Sequence, residues 1–329
     1  MENLSALHAR ITAIGSYVPN RILTNDELER MVDTNDEWIV QRTGIRERRI
    51  AADNEYTSHL CIRAVEDMVA RYQTALDDVE LIIVATHTPD LPFPSAACLV
   101  QAHFGIPATG AYDLNATCAG FTYALHTASA LISAGVHRKV LVLGGDTVSK
   151  ITDYTDRSTC ILFGDGAGAV MVEREDEGPA FLTHYLGSDG NGGKHVYRTG
   201  LASDLNGLPL GGSGKLVQNG REVYKFAVTT VPQGIDKLLA KSGMQLSDID
   251  WFIPHSANLR IIESICEKSG IPFEKALYSL VYYGNTSAAS IPLALDMGIK
   301  EGKVLPGDTL LLYGFGGGLT HAGLVVHWG

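Results

Sequence analysis

The chain has 329 residues, of which 45% are hydrophobic and 19% are charged, the balance of an ordinary globular protein. This length exceeds what one compact core usually reaches, so we expect one large domain or two fused domains. The formal net charge of −11 argues against nucleic acid as a general partner, because binding to a phosphate backbone requires a broad basic surface.

The beginning of the chain shows no targeting signal. Residues 1–15 lack a charged segment followed by a long apolar core and a cleavage site of small residues. No apolar run reaches the ~18 residues typical of a transmembrane helix, so we expect no membrane insertion. These patterns predict a cytoplasmic protein.

The cysteines and histidines indicate neither a disulfide framework nor a metal site. No two cysteines form a CxxC pair, and the eleven histidines include no HExxH motif. An odd, scattered set of thiols is typical of a reduced cytosolic protein. The five cysteines are Cys61, Cys98, Cys118, Cys160 and Cys266.

Helical and strand patterns alternate through the first half of the chain. Apolar residues recur three and four positions apart in segments 57–72 and 120–135, which predicts helices that face a core. Short unbroken apolar runs at 81–86, 139–145 and 168–173 predict buried strands. This alternation indicates mixed or parallel sheets covered by helices.

Cys118 lies between a strand-like run at 111–114 and a helix that begins near Ala119. The free N–H groups and positive dipole end of a helix N-terminus favour a thiolate, so Cys118 is a candidate nucleophile. For an arbitrary cysteine, a small buried core residue is the commoner role. The other four cysteines have no catalytic context in the sequence.

Segments from the first half recur in the second half at a single offset. The acid-plus-strand pattern at 76–84 returns at 246–254, which gives 246 − 76 = 170. Residues 114–125 and 284–295 share this offset, as do 140–145 and 310–315. We therefore expect two pseudo-symmetric α/β units, divided into residues 1–175 and 176–329 and packed as α/β/α/β/α layers. Between 187 and 220 the chain is rich in Gly and Asn, which predicts a long surface excursion.

Two polar residues of the second half are candidates for a cleft. His255 directly follows the strand run at 250–254, although a structural histidine is the commoner role for such a residue. Asn285 is the repeat equivalent of Asn115, three residues before the equivalent of Cys118. The repeat thus predicts that Cys118 and Asn285 both lie where a strand gives way to a helix. A helix cap is the alternative role for Asn285.

Three consecutive glycines, Gly316–Gly318, follow the predicted final strand. Without Cβ atoms they allow backbone N–H groups to approach a substrate, as an oxyanion hole requires, although a permissive turn is the simpler reading. Residues 163–170 are also glycine-rich, but they do not fit GxGxxG and continue into a strand, so we expect no nucleotide loop there.

Taken in order, these motifs resemble the β-ketoacyl-acyl carrier protein synthase III family over essentially the whole chain. The matching segments are NDEWIVQRTGIRERRI (35–50), FPSAAC (93–98), NATCAGFTYAL (115–125), PHSANLRII (254–262), YGNTSAASIPLAL (283–295) and FGGGLT (315–320).

The resemblance implies a thiolase fold, a homodimer and the reaction that starts bacterial type II fatty acid synthesis. It implies that Cys118 takes an acyl group from an acyl-CoA. His255 and Asn285 would bind a malonyl thioester, promote loss of carbon dioxide and direct the carbanion to the acyl-cysteine. The backbone N–H groups of Cys118 and Gly317 would form the oxyanion hole. Hydrogen-bond donors aimed at developing charge are what such a transition state needs.

The resemblance also implies where the substrates bind. Acyl-CoA and malonyl-acyl carrier protein are the expected partners, and no resident cofactor or metal is expected, because coenzyme A and the carrier's phosphopantetheine arrive as parts of the substrates. Trp38 and Arg157 would sandwich the adenine and Arg42 would hold the phosphates, since indole and guanidinium planes both stack on a purine. The remaining implied contacts are Arg221 and Asn258 for coenzyme A, Phe93 for the acyl pocket across the dimer, and Lys225 and Arg260 for docking of the acidic carrier protein.

Two positions depart from the usual pattern of the family, and two other functions share its residues. Ser256 stands where the family often has Gln, and Arg221 replaces an asparagine of the pantetheine channel. The alternatives are a secondary-metabolite condensing enzyme with the same triad and a catalytically silent acyl-CoA-binding scaffold. An intact Cys118, His255 and Asn285 argue against the scaffold. Primer length and branching are beyond the resolution of the sequence, because one methylene changes discrimination by only about 1–3 kcal/mol.

Overall fold

The computed structural model describes residues 8–176, 178–211 and 214–329. Residues 1–7, on which the prediction about a targeting signal partly rests, lie outside this description. Within the described ranges, no helix has the length and apolarity needed to cross a membrane.

Fifteen strands are present in the described part of the chain. Most are short, and the longest, β1 and β7, pair with each other. In chain order they are β1 His8–Tyr17, β2 Arg21–Thr24, β3 Glu47–Ile50, β4 Leu81–Ala85, β5 Gly110–Leu114, β6 Lys139–Thr147, β7 Asp165–Glu175, β8 Phe181–Ser188, β9 Val196–Arg198, β10 Asp204–Leu205, β11 Leu208–Pro209, β12 Leu216–Gln218, β13 Trp251–Pro254, β14 Thr309–Gly316 and β15 Thr320–His327.

Ten α-helices accompany the strands in the same described ranges. They are α1 Asn25–Glu29, α2 Asp36–Thr43, α3 Thr57–Tyr72, α4 Ala96–Phe104, α5 Gly120–Ser133, α6 Arg157–Cys160, α7 Gly220–Ser242, α8 Leu259–Ser269, α9 Leu280–Tyr283 and α10 Ser290–Lys300. The helix predicted over 57–72 is confirmed as α3, and the strands predicted at 81–86, 139–145 and 168–173 are confirmed as β4, β6 and part of β7.

Two main sheets have the same strand order. The first is β1-β7-β6-β4-β5, in which β4 is parallel to β5 and β6, and β7 is antiparallel to β6 and β1. The second is β8-β15-β14-β13, with the same directions: β13 parallel to β14, and β15 antiparallel to both of its neighbours. A single parallel bridge from Phe252 to Ala276 lies where β5 lies in the first sheet.

The helices complete a layered arrangement. α3 and α4 cover the outer face of the first sheet, and α7 packs on β8, β15 and β14 with α8 beside it. α5 and α10 each contact strands of both sheets and therefore lie between them. The layers are thus α/β/α/β/α, as predicted. The central strands β4, β6 and β14 are buried along their whole length, which explains why their sequences are unbroken apolar runs rather than alternating ones.

The first sheet uses residues 8–175 and the second uses residues 181–327. The predicted boundary between residues 175 and 176 falls in the connection between β7 and β8. The division of the chain into two units at this boundary stays a prediction.

The internal repeat is visible in the backbone where the two units meet. A single 3₁₀ turn, Thr117–Ala119, precedes α5, and another, Ser287–Ala289, precedes α10. Thr117 has φ 47° and its repeat equivalent Ser287 has φ 53°, a left-handed conformation that is uncommon for residues other than glycine. The Asn115 side chain accepts the Thr117 N–H at 3.2 Å, and the Asn285 side chain accepts the Ser287 N–H at 2.9 Å. Both units therefore contain the same strained corner, which is a 3₁₀ turn that begins at a left-handed residue and is capped by an asparagine.

The segment predicted as a surface excursion, 187–220, contains more regular structure than its composition suggested. β8 continues to Ser188, and β9 and β12 then pair with each other, as do β10 and β11. Glycine and asparagine are common in this segment because it consists of short hairpins, whose turns need such residues. The side chains of Val196 and Gln218 from this segment reach a cavity described below.

The junction between the units allows a direct test of their close packing. A Cβ placed on Gly144 of β6 would lie 2.4 Å from the carbonyl oxygen of Ala288, a backbone atom that cannot turn aside. We expect Gly144→Ala to lower the free energy of unfolding by at least about 2 kcal/mol, as overpacking of a tight core does. Gly190→Ala is the matched control, since its Cβ would meet no atom within 4 Å. Urea unfolding of both variants measures the difference, and equal midpoints would contradict the proposed close contact.

Candidate active site

A cavity of about 420 Å³ is lined by residues of both units. It brings together the three predicted catalytic side chains, although 137 and 30 residues separate them in sequence (255 − 118 and 285 − 255). Eight of the predicted site residues line it: Trp38, Arg42, Cys118, His255, Asn258, Arg260, Asn285 and Gly317. Arg157, Arg221, Lys225 and Phe93 do not line this cavity.

Cys118 lies in the 3₁₀ turn between β5 and α5. This agrees with its predicted position at the start of a helix. Its side chain is partly exposed, but the surface that it exposes faces the cavity rather than bulk solvent. The Ser287 hydroxyl lies 3.3 Å from the sulfur and donates a hydrogen bond to it.

The pKa of the Cys118 thiol differs from the sequence-based expectation. Burial raises this pKa to about 12, the hydrogen bond from Ser287 lowers it, and the nearby Asp146 carboxylate raises it. Desolvation of the thiolate thus outweighs the stabilisation expected from the helix start. The surroundings of Cys118 therefore raise the pKa of its thiol, whereas its position at a helix start alone would lower it.

His255 follows β13 directly and is almost completely buried. Burial lowers the pKa of its imidazole to about 3, so the ring is neutral at physiological pH. Its Nδ1 atom lies 2.7 Å from the Ser290 hydroxyl, which also accepts the Ser256 N–H at 3.3 Å. We assign the Ser290 hydroxyl proton to its contact with Nδ1, which places the ring proton on Nε2 and makes the other edge of the ring a hydrogen-bond donor.

Asn285 is buried and held at both ends of its backbone. Its N–H donates to the Leu162 carbonyl at 2.8 Å, and its carbonyl accepts the Gly164 N–H at 3.0 Å. The side-chain oxygen accepts the Ser287 N–H, as a capping residue does. Both roles weighed for Asn285 are thus compatible, because capping uses the oxygen and leaves the NH₂ group. No acceptor for this NH₂ group is present among the described residues.

The glycine loop after β14 lies against Cys118. A Cβ on Gly316 would be 2.8 Å from the Cys118 Cβ and 3.0 Å from its backbone nitrogen, so this position requires glycine. The Gly317 carbonyl accepts hydrogen bonds from the hydroxyls of Thr117 at 3.0 Å and Thr320 at 2.9 Å. The loop is therefore fixed to the turn that carries Cys118. The role of the Cys118 and Gly317 N–H groups in an oxyanion hole stays a prediction.

Cys118 also lines a second cavity, of about 380 Å³. The lining of this second cavity includes His87, Phe163 and Ser287. Cys118 is therefore shared by two cavities, one of which is also lined by His255 and Asn285. Phe93, predicted to close an acyl pocket across a dimer, is 86% exposed in the single chain.

Three of the residues predicted to bind coenzyme A cluster at Trp38. The Arg42 guanidinium lies 5.8 Å from the centre of the indole, and the Arg157 guanidinium lies 5.3 Å from it. Arg157 also donates to the Asp33 carbonyl at 3.0 Å. A purine between Trp38 and Arg157 needs more separation than 5.3 Å, so Arg157 must move aside to admit one.

The other predicted contacts surround the mouth of the first cavity or lie near it. Asn258 caps α8 and donates from its amide to the Arg42 carbonyl at 3.1 Å. Arg260 is exposed and lines the cavity, and Arg221 and Lys225 are exposed on the first turns of α7. The substrate-contact roles of these residues remain predictions.

Sequence reasoning missed four polar residues around the triad: Ser287, Ser290, His87 and Asp146. The repeat places Ser287 next to the equivalent of Cys118, which was a usable signal. Ser290 stands one helical turn later, and its contact with His255 depends on two segments that are 35 residues apart. His87 and Asp146 follow or end strands, but nothing in the sequence shows that they meet.

The described residues contain no group of three or more His, Cys, Asp or Glu side chains arranged to hold a metal ion.

Comparison with known proteins gives matches over nearly the whole chain. The family described as 3-oxoacyl-[acyl-carrier-protein (ACP)] synthase III matches residues 112–190, and its C-terminal counterpart matches residues 239–328. A relative named β-ketoacyl-[acyl-carrier-protein] synthase III 2 from Halalkalibacterium halodurans is 65% identical over 97% of this chain and 96% of its own length. A relative of the same name from Bacillus subtilis is 60% identical over 98% of this chain and 99% of its own.

A solved structure is also similar over nearly the whole chain. A β-ketoacyl-[acyl carrier protein] synthase III from Thermus thermophilus has a TM-score of 0.94 and 48% identity, and the match covers 97% of this chain and 99% of that one. This likeness confirms the predicted five-layer thiolase fold.

The environment of His255 predicts an unusual titration. Because the pKa of the buried ring is lowered to about 3, we expect its ¹³C and ¹⁵N signals to stay those of a neutral Nε2–H imidazole from pH 8 down to pH 5. An ordinary histidine would protonate near pH 6.5. NMR of histidine-labelled protein checks this, with His255→Gln identifying the signal by its loss. A titration midpoint near 6.5 would contradict the burial argument.

Proposed function

Because this chain belongs to the β-ketoacyl-[acyl carrier protein] synthase III family, we propose that Cys118, His255 and Asn285 carry out its condensation reaction. The activity of the family is an acyl-transferring condensation of fatty acid synthesis, and it is the activity of this chain. The assignment of residues, substrates and partners below is our proposal.

In the first half-reaction, Cys118 attacks the carbonyl carbon of an acyl-CoA thioester. A bond forms between the sulfur and this carbon, and the bond to coenzyme A breaks. The acyl group then rests on the enzyme while coenzyme A leaves, which divides one difficult step into two easier ones. The second cavity beside the sulfur, with Phe163 in its lining, supports this role because it offers room for the acyl chain.

In the second half-reaction, a malonyl thioester on the carrier protein loses carbon dioxide. Negative charge develops on the thioester oxygen, and donors aimed at it stabilise the transition state. The Nε2–H of neutral His255 and the NH₂ group of Asn285 are both suited to this, and neither has to remove a proton from carbon. The resulting carbanion forms a carbon–carbon bond to the acyl carbon on Cys118, and the bond from that carbon to the Cys118 sulfur breaks. The sulfur leaves with the electron pair and takes a proton, and the β-ketoacyl product stays on the carrier protein.

The observation that carries this proposal is the orientation of Asn285. Its oxygen accepts the Ser287 N–H, which turns its NH₂ group toward the cavity that it shares with His255 and Cys118. A structural cap alone would not need to face a nucleophile across a cavity. A silent acyl-CoA-binding scaffold would have no use for two donors at this place.

We also propose the substrates' binding surfaces. Trp38, Arg42, Arg157, Arg221 and Asn258 would contact coenzyme A, and Lys225 and Arg260 would attract the acidic carrier protein. The exposed position of Lys225 and Arg260 on the neighbouring helices α7 and α8 supports this, since local positive charge on an acidic protein steers an acidic partner.

A homodimer is the assembly that we propose. Phe93 is 86% exposed and Leu91 is 51% exposed in the single chain, an arrangement typical of residues that another subunit covers. A partner's Phe93 would then close the acyl pocket.

We further propose a cytoplasmic location. The five cysteines are all free thiols, which is typical of a reducing compartment.

The identity of the nucleophile can be tested by intact-protein mass spectrometry. We expect the protein to gain the mass of one acyl group after incubation with acetyl-, isobutyryl- or isovaleryl-CoA, and we expect Cys118→Ala to gain none. The best-loaded acyl group identifies the primer class. Cys98→Ala, at the exposed cysteine, is the matched control and should load like the unaltered protein. Loading that persists in Cys118→Ala would refute the assignment.

The role of Asn285 can be separated from that of Cys118. Asn285→Asp keeps the oxygen that accepts the Ser287 N–H but removes the NH₂ donor, so we expect the fold to persist. Loss of one such donor typically lowers the rate about 10²–10³-fold, so decarboxylation of malonyl-acyl carrier protein should fall by this factor. Acyl loading of Cys118 in the same preparation serves as the internal control and should change by less than about threefold. An equal loss in both half-reactions would mean that Asn285 acts on the site as a whole.

A further inference from the structure

A continuous chain of polar contacts runs from a buried carboxylate to the sulfur of Cys118. Asp146, in β6, has no exposed surface, and its Oδ2 atom lies 3.1 Å from Nδ1 of His87. The same Nδ1 atom lies 3.2 Å from the Ser287 hydroxyl oxygen. That hydroxyl lies 3.3 Å from the Cys118 sulfur.

The charge of Asp146 fixes the first contact of this chain. Burial by itself raises the pKa of the Asp146 carboxyl, but the His87 imidazole and hydrogen bonds from His87 and Thr88 lower it overall. Oδ1 accepts from the Thr86 hydroxyl at 2.8 Å, the Thr88 hydroxyl at 2.8 Å and the His87 N–H at 2.9 Å. The group is therefore an ionised carboxylate and can only accept. Nδ1 of His87, facing Oδ2, must carry a proton.

The proton on His87 Nδ1 determines which group donates in the two contacts of the Ser287 hydroxyl. The protonated Nδ1 of His87 lies within hydrogen-bond distance of both Oδ2 and the Ser287 oxygen, so the Ser287 oxygen meets a donor. The single hydroxyl proton of Ser287 is then directed to the sulfur. A hydrogen bond from a hydroxyl is stronger to a thiolate than to a thiol, because charged acceptors bind donors more strongly.

We propose that Ser287 stabilises the Cys118 thiolate in the acyl-transfer step, and that His87 and Asp146 are the positioning residues that orient its hydroxyl toward the sulfur. The proposal rests on the proposed function in one respect, that Cys118 is the residue acylated. His87 also donates to the Asp146 carboxylate, the charge that raises the pKa of the Cys118 thiol.

The chemistry of the step balances without a further reactant. The Cys118 thiol gives its proton to water in the cavity, and Ser287 keeps its own proton throughout. The thiolate forms a bond to the thioester carbonyl carbon, and the bond from that carbon to the coenzyme A sulfur breaks. Coenzyme A leaves with the electron pair and takes a proton from water.

The structure offers matched variants for a test. Ser287→Ala removes the hydroxyl, whereas Ser287→Thr retains it. Threonine is compatible with the left-handed backbone there, because Thr117 occupies the equivalent position of the repeat with φ 47°. His87→Leu removes the Nδ1 donor, whereas His87→Asn retains a donor at nearly the same place. Ser290→Ala removes a neighbouring hydroxyl that contacts His255 rather than the sulfur.

The measurement is the pH dependence of alkylation of Cys118 by iodoacetamide, which reacts with the thiolate. Peptide mass spectrometry resolves each cysteine, and the exposed Cys98 in the same molecule is the internal reference. The other titratable groups around the sulfur are Asp146 from β6, His87 after β4 and His255 after β13, and His255 stays neutral over the range from pH 6 to 10.

We expect Ser287→Ala and His87→Leu to slow alkylation of Cys118 at least about tenfold, because each removes a hydrogen bond that stabilises the thiolate. The rates are compared at one fixed pH below the titration midpoint of the Cys118 thiol. Ser287→Thr, His87→Asn and Ser290→Ala should stay within about threefold of the unaltered protein. Thermal unfolding verifies that each variant is folded.

A folded Ser287→Ala protein that alkylates with unchanged pH dependence overturns the proposal. If Ser287→Ala does not fold, the comparison of His87→Leu with His87→Asn takes its place. The same pH dependence of alkylation in these two variants would then overturn the proposal. The proposed function fails by a different result, namely no acyl adduct on Cys118 of the unaltered protein after incubation with acyl-CoA, whatever the alkylation data show.

Discussion

The junction of the two units depends on the hydrogen bonds that the buried carboxylate of Asp146 accepts. It accepts hydrogen bonds from Thr86, His87 and Thr88 at the end of β4, and its Oδ2 atom accepts the Ala288 N–H of the second unit at 3.2 Å. A buried charge is tolerated only when its acceptor sites are filled, so the groups around Asp146 are constrained to their places. This constraint brings the 3₁₀ turn of the second unit to β6, against Gly144, and thereby brings Ser287 to Cys118.

The two units share a backbone but differ in their chemistry. Cys118 has Ala288 as its repeat equivalent (118 + 170), and His255 has Ala85 (255 − 170). Both copies keep the asparagine that caps the corner, yet only Asn285 faces the first cavity, while Asn115 lines the second. Pseudo-symmetry places two similar corners face to face, and side-chain differences then assign the proposed nucleophile to one unit and the proposed donors to the other.

Much of the fold and the main site residues could be predicted from the sequence, because the signals are local or repeated. The strands β4, β6 and β14 are unbroken apolar runs, and the offset of 170 residues relates Asn285 to Asn115. The raised pKa of Cys118 could not be predicted, since it depends on how many atoms of distant segments surround the sulfur. For the same reason, the contacts of His87 with Ser287 and of Ser290 with His255 required coordinates. The regular structure within residues 187–220 escaped prediction because its strands have only two or three residues each.

The capped oxygen of Asn285 has a consequence for the design of inhibitors. Because that oxygen is already occupied, the amide cannot rotate by half a turn to offer an acceptor without losing a buried hydrogen bond. Neutral His255 likewise presents a donor, so both side chains offer hydrogen-bond donors to this part of the cavity. A compound aimed at the site should therefore place a carbonyl, sulfonyl or carboxylate oxygen there, whereas an amine or amide N–H at the same point would meet only other donors.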